Sequence, residues 1–202
     1  MTLQEQKTAQ RKDLLVWRRH LTPAFRNQAS EQILARLYAT EAFQQAHTVF
    51  AYASTEDEVQ LDGLLTHCLT RGKRVCIPQI IGPGLMVAAE LQSLDELEVG
   101  KFGIRSLQTG VISVVAPEEI DLVIVPGAGF TVAGARLGLG GGYYDRYLPK
   151  LTRASRIALV FDGQVQADVP MEPHDQYVDS IITERRSLDC HAAEEPVAAT
   201  GR

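Results

Sequence analysis

Leu14, Trp17 and Leu21 recur on one face of residues 3–21, with charged side chains elsewhere, so the spacing predicts a helix there. Thr22-Pro23 reads as the start of a second helix, a capping hydroxyl followed by proline in the first turn. Phe25, Ala29, Ile33 and Leu37 then repeat every four residues and give that helix an apolar stripe. HTVFAYA (47–53) is a short apolar run that suits a buried strand. Leu61, Leu64, Leu65, Cys68 and Leu69 return to helical spacing, and Gly72 stands where a helix-terminating glycine belongs. RVCIP (74–78) is the next strand. Strand, helix and strand in so short a span make a βαβ unit, which implies parallel strands and a right-handed crossover.

Further along, LMVAAEL (85–91) is strand-like and residues 92–116 read as an irregular connection. DLVIVP (121–126) has the unbroken apolar character of a buried strand. A glycine-rich loop follows, then a helix around YYDRYLPK (143–150), with further strands at RIALVF (156–161) and VDSIITE (178–184). The last residues, 190–202, lack periodicity and read as a disordered tail, which leaves 1–189 as a single domain. No internal repeat is evident. The expected fold is α/β, a mainly parallel open sheet flanked by helices in three Rossmann-like layers.

Composition narrows the functional classes more than the fold. The apolar share of 45% and the charged share of 22% are ordinary for a globular chain. A net charge of −5 argues against nucleic-acid binding, which needs a surplus of Lys and Arg. No apolar run approaches the ~18 residues of a membrane span, and MTLQEQKTAQRKD lacks the apolar segment of a secretory signal. Cys68, Cys76 and Cys190 show neither CxxC spacing nor an even count, which disfavours a disulfide framework or a zinc site. These features together predict a cytoplasmic protein with reduced thiols.

The most informative segment is VPGAGFTVAGARLGLGGGYYDRYL (125–148). Gly138, Gly140, Gly141 and Gly142 lie between a buried strand and an aromatic-rich helix. Such a backbone can turn tightly and approach a ligand closely. The helix that follows would aim its free N–H groups and positive dipole end into the loop, an arrangement suited to phosphate. Arg136 can add charge to the same anion, and Asp145 suits a magnesium ion accompanying a nucleotide. The same pattern serves equally for close helix–strand packing, with Asp145 simply favouring the helix dipole. It matches neither the GxxxxGK[ST] phosphate loop nor the GxGxxG dinucleotide fingerprint.

RLGLGGGYYDRYL (136–148) closely resembles the RLGxGxGYYDxYL pattern of 5-formyltetrahydrofolate cyclo-ligases. Lys7 and Arg11, with Arg18, Arg19, Leu21 and Thr22, resemble that family's N-terminal K-x-x-x-R helix and the basic run after it. Ser54, Glu58 and Val59 resemble its S-x-x-x-E-V/I segment, and His174, Asp175, Val178 and Asp179 its H-D-x-x-V-D motif. Order and spacing agree across roughly residues 7–184. Some positions depart from the pattern: Ala128, Gly129 and Thr131 stand where many relatives read Leu, Ala and Asp. Gln79 replaces a common basic residue, Ser106 and Leu107 stand where Glu-Pro is expected, and Leu139 occupies a position often aromatic or basic.

The resemblance implies an enzyme that uses ATP, with Mg²⁺, to cyclise 5-formyltetrahydrofolate to 5,10-methenyltetrahydrofolate. It implies that Lys7, Arg11, Arg136 and the backbone from Leu137 through Gly138, Leu139, Gly140, Gly141, Gly142, Tyr143 and Tyr144 bind ATP. Lys7 and Arg136 take the catalytic role, and Asp145 and Asp175 correspond to the metal ligands. Ala53, Glu58, Leu139, Gly140, Gly141, Gly142 and Tyr143 correspond to the folate side. The implied partners are small molecules, without nucleic acid or membrane. Two other readings are a non-catalytic folate-binding relative and a phosphosugar- or nucleotide-handling α/β enzyme.

Overall fold

The computed structural model describes residues 1–100, 103–107 and 112–191. Helix α1 (Leu3–Arg19) starts at a reciprocal cap: Thr2 Oγ1 accepts from Glu5 N–H at 3.3 Å, and the Glu5 carboxylate accepts from Thr2 N–H at 2.7 Å. Helix α2 (Pro23–Tyr38) begins as expected, with the Thr22 hydroxyl accepting from Phe25 N–H at 3.2 Å. A short α3 (Glu41–Gln45), capped by Thr40, leads into β1 (Thr48–Phe50). Five residues are too few to display a helical period, which is why the apolar pattern does not reveal α3. Helix α4 (Asp62–Thr70) and β2 (Arg74–Gly82) complete the predicted βαβ unit, and β1 and β2 are parallel.

Strand β2 does not stop at Pro78. It runs on to Gly82, turns over Pro83-Gly84 and returns as β3 (Leu85–Leu91), paired antiparallel. The stretch expected to be irregular contains three short strands, β4 (Leu97–Val99), β5 (Arg105–Leu107) and β6 (Val114–Val115). β4 and β5 form their own ribbon, while β6 adds to β3. Strands of two or three residues are too short to alternate visibly, so the pattern hides them. After β7 (Leu122–Ile124) the glycine-rich region opens with a hairpin, β8 (Gly129–Thr131) and β9 (Arg136–Leu137). Helix α5 spans only Tyr143–Tyr147, because Pro149 cannot continue the hydrogen-bond ladder, and a single 3₁₀ turn follows. β10 (Ser155–Leu159), β11 (Val165–Gln166), β12 (Ser180–Ile182) and β13 (Ser187–Asp189) finish the described chain.

The large sheet has the order β13-β12-β10-β7-β1-β2-β3-β6, parallel from β12 to β2 and antiparallel at both flanks. This is the mainly parallel α/β sheet that the periodicity predicts. One face buries Ile33 and Leu37 of α2, Phe43 of α3 and Leu64 and Leu65 of α4 against Val49, Ile77, Leu122 and Ile157. The other face buries Tyr147, Leu148 and Leu151 against Phe50, Val123, Val125 and Ala158. Alternate residues of single strands thus serve opposite cores, as fully covered parallel strands require.

Helix α1 lies apart from both layers. Its Leu14 packs with Ala128, Ala135, Leu137 and Val169 over the small β11-β8-β9 sheet. Its buried positions are Lys7, Leu14 and Arg18, so two of its three inward side chains are cations. Trp17, predicted to share the apolar face, is 38% exposed and lies along Gly163, where an added Cβ would come within 2.3 Å of the indole. Cys190 also corrects the expected boundary: it is buried, and its N–H donates to Asp179 O at 2.9 Å. Residues 192–202 of the expected tail lie outside the described residues. Among the described residues, no helix is long and apolar enough to cross a membrane.

Candidate active site

A cleft opens where the first turns of α1 meet the loop between β9 and α5 and the segment before β12. Lys7 and Arg11, one helical turn apart, both face it. Arg136, Leu137, Gly138, Gly140, Gly142, Asp145 and Asp175 line it too, so most residues expected around a nucleotide phosphate converge here. Arg11 Nε donates to Gly138 O at 2.7 Å, fastening the helix to the loop. Arg136 is 3% exposed, donates Nη1 to Pro126 O at 2.9 Å and pairs through Nη2 with Asp145. Its Nε is buried with no hydrogen-bond partner. Gly140 and Gly142 take φ of 101° and 65°, left-handed conformations that fold the loop back over Arg11 and into α5. With α5 only five residues long, the pull on an anion comes from three cations far more than from a helix dipole.

Three carboxylates balance those cations. Lys7 Nζ donates to Glu172 Oε2 at 2.7 Å and also to Asp175. Burial alone would lower the Lys7 ammonium, but hydrogen bonds and charge from Asp175 and Glu172 raise it above the ordinary lysine value. Asp175 shows the converse: burial would raise it, whereas Lys7 and the Glu172 amide, 2.6 Å from Oδ2, hold it below the ordinary carboxylate value. Glu172, His174 and Asp175 present ligand atoms within 4.8 Å of one another, the sole such group among the described residues. Asp145 lines the same cleft outside that group, with its carboxylate on Arg136. Carboxylate oxygens are hard donors of the kind Mg²⁺ takes; of the two expected ligands, Asp175 belongs to the clustered group, whereas Asp145 lies outside it and on Arg136.

Glu58 and Ala53, expected on the folate side, do not line that cleft; they lie on the segment after β1. Ala53 is 6% and Glu58 7% exposed. Glu58 Oε2 accepts from Thr55 N–H at 2.8 Å, and Oε1 lies 3.6 Å from Arg18 Nη1. Arg18 also reaches Asp57 Oδ2 with Nε at 3.2 Å and Nη2 at 3.0 Å. Burial would raise the Asp57 carboxyl, yet Arg18 and the Thr55 hydroxyl hold it below the ordinary value. Tyr144 lies within electrostatic reach of both Arg136 and Glu58. Its ring stacks on Phe50 at 6.1 Å and 14°, and its buried hydroxyl has no partner. Burial raises that phenol strongly, while Arg136 lowers it and Glu58 raises it, so both charges are felt at one oxygen. Tyr143 is half-buried beneath the Arg146 guanidinium, 5.7 Å from its ring centre, and Leu139 is 47% exposed. Gly141 does not line the cleft; its Cβ direction faces the Tyr143 ring.

Sequence reasoning missed Gln4 and Glu172, and both had a trace in the spacing. Gln4 precedes Lys7 by three residues on one helical face, and Glu172 precedes Asp175 by three in a tight turn. The cysteines take no part: Cys68, Cys76 and Cys190 are buried and free, and burial pushes their thiols up to about 11, 12 and 11.

A model of the 5-formyltetrahydrofolate cyclo-ligase family matches residues 3–184. The chain is similar to 5-formyltetrahydrofolate cyclo-ligase of Escherichia coli, 27% identical over 82% of this chain and 93% of that one. It is likewise similar to the Mycolicibacterium smegmatis enzyme of that name, 29% identical over 90% and 95%. Among solved structures, Aquifex aeolicus 5,10-methenyltetrahydrofolate synthetase superposes with a TM-score of 0.81 at 28% identity, covering 97% of this chain and 98% of that one. The Mycoplasma pneumoniae synthetase gives 0.73 at 25% identity, covering 88% and 98%. With a match running from the first turn of α1 past β12, the chain belongs to the 5-formyltetrahydrofolate cyclo-ligase family.

Proposed function

We propose that this chain spends ATP to close 5-formyltetrahydrofolate into 5,10-methenyltetrahydrofolate, releasing ADP and phosphate, and that it does so in the cytoplasm. The observation that carries this reading is one cleft holding Lys7, Arg11 and Arg136 against three carboxylates and a left-handed glycine turn. Three cations and three carboxylates suit a polyphosphate that arrives with a divalent cation. Such a cation, held by Asp145 and Asp175, would neutralise charge on the phosphate oxygens.

The formyl carbon on N5 is amide-like and a poor electrophile. Its oxygen attacks the γ-phosphorus, ADP leaves, and the formyl oxygen becomes part of a good leaving group. The N10 lone pair then attacks the activated carbon, N10 loses its proton, and phosphate departs with the oxygen to leave the methenyl bridge. Lys7 can turn from Glu172 and Asp175 to a phosphate oxygen, which would release Asp175 for the cation. Arg136, anchored by Pro126 O, meets the transferring group as a fixed cation that needs no reorganisation. Glu58 orients the folate by accepting from its N–H groups, and Tyr144 stands between the two substrates.

The decisive experiment mixes protein, Mg-ATP and 5-formyltetrahydrofolate and follows methenyl-folate absorbance together with ADP. Matched formation of methenyl-folate and ADP, dependent on nucleotide, is the expected result. Folate binding without turnover would leave a non-catalytic relative, and nucleotide binding without folate binding would point to a different α/β enzyme.

A further inference from the structure

Arg18 is buried at the end of a helix whose flanking charges are mostly exposed, its side chain 7% exposed against 66% for Arg19. Burying a guanidinium is costly unless its donors are met, and here two consecutive carboxylates meet them. Asp57 takes the closer, two-pronged contact, while Glu58 Oε1 stands at 3.6 Å. Glu58 Oε2 is engaged by Thr55 N–H, and the Thr55 hydroxyl donates to Asp57 Oδ1 at 2.9 Å. Asp57 therefore holds Arg18, and Arg18 Nη1 faces Glu58 Oε1 as an ion-pair neighbour beyond hydrogen-bond distance, which leaves the acceptor capacity of Oε1 free. Arg19 cannot replace it, since it reaches only Asp57, at 3.9 Å.

Positions 7, 11 and 18 fall on one face of α1, about 16 Å apart from first to last at the helical rise. We infer that Arg18 is a positioning residue for the folate, holding the Glu58 carboxylate in register with the phosphate-binding cations carried by the same helix. The inference rests on the reading of Glu58 as the folate-contacting carboxylate.

The test is steady-state kinetics of Arg18→Lys, Asp57→Asn, Glu58→Gln and the Arg18→Lys/Glu58→Gln pair. Arg18→Lys keeps the charge but loses the planar fork. It should raise KM for 5-formyltetrahydrofolate roughly five- to tenfold, about what one weakened charge-assisted contact is worth, with KM for Mg-ATP held within about twofold. Asp57→Asn should do the same, which keeps the question open to measurement if Arg18→Lys does not fold. The double variant should be no worse than Glu58→Gln alone. A raised folate KM in Glu58→Gln with no change in either Arg18→Lys or Asp57→Asn overturns the role of Arg18 and leaves Glu58 in place. No effect in Glu58→Gln overturns the reading beneath it. A rise in both KM values with a lowered melting temperature shows that Arg18 only holds the helix.

Discussion

Lys7 and Asp175 oppose burial with charge, and the sign of each shift sets a pH window. Asp175 is depressed on folding, so its contribution is present above the unfolded value near 3.8 and lost as pH falls through the lower folded value. Lys7 is raised, so its contribution is complete below 10.5 and lost as pH climbs through the higher folded value. The gap in melting temperature between the wild-type chain and Asp175→Asn should stay flat through neutrality and close at acidic pH; thermal melts across pH check this. Gly138 offers a sharper probe of the phosphate cleft than Gly141. A Cβ there would sit 3.1 Å from Arg136 Nη1, whose guanidinium is pinned on two sides. Gly138→Ala should weaken Mg-ATP binding by about 1–3 kcal/mol, the scale of one displaced charge-assisted contact, while folate binding falls less; calorimetry with each ligand reads the difference. Asp145→Asn should raise the magnesium concentration needed for half-maximal activity. Lys7, Arg11, Asp145 and Asp175 were legible because motif and spacing coincide at them. Glu172 left only its three-residue spacing from Asp175 as a trace, and a carboxylate in a Pro-rich loop gains meaning once a lysine 165 residues away is folded onto it.

At the scale of elements, α1, α2 and α4 and the parallel strands from β1 to β12 followed from apolar spacing, because each buries a stripe or a short continuous run. The face on which α1 docks did not follow. Amphipathic reasoning sends apolar residues inward, but α1 turns Lys7 and Arg18 inward to meet carboxylates contributed by distant loops. The β4–β5 ribbon was lost for another reason, since three-residue strands carry no period; the strand at 85–91 was legible, but the run of β2 past Pro78 to meet it was not, because Pro78 looked like a strand end. Trp17 is the only tryptophan, so its fluorescence reports the seat of α1 directly. Gly163→Ala drives a methyl toward the indole and should shift the emission and reduce Mg-ATP affinity severalfold, with little change in far-ultraviolet circular dichroism. Unchanged emission together with normal nucleotide affinity would mean that α1 tolerates displacement at this end.

At the scale of the whole molecule, the end of the domain was misjudged by a single residue of consequence. Cys190 packs into the core near Gly134, where an added Cβ would lie 2.9 Å from the Cys190 Cβ, and its N–H completes the link to Asp179. Ending the chain after 189 should therefore lower the melting temperature by several degrees relative to ending it after 191, as expected for losing a buried side chain worth about 1–2 kcal/mol. The ion pair between Lys7 and Asp175 joins residues 168 apart in sequence. During synthesis the sheet strands up to β10 can emerge and pair while the Glu172–Asp175 wall of the cleft is still being translated. The cleft proposed to take nucleotide is therefore complete only once Asp175 has left the ribosome and met the chain's first helix, so its assembly comes after most of the parallel sheet has been made.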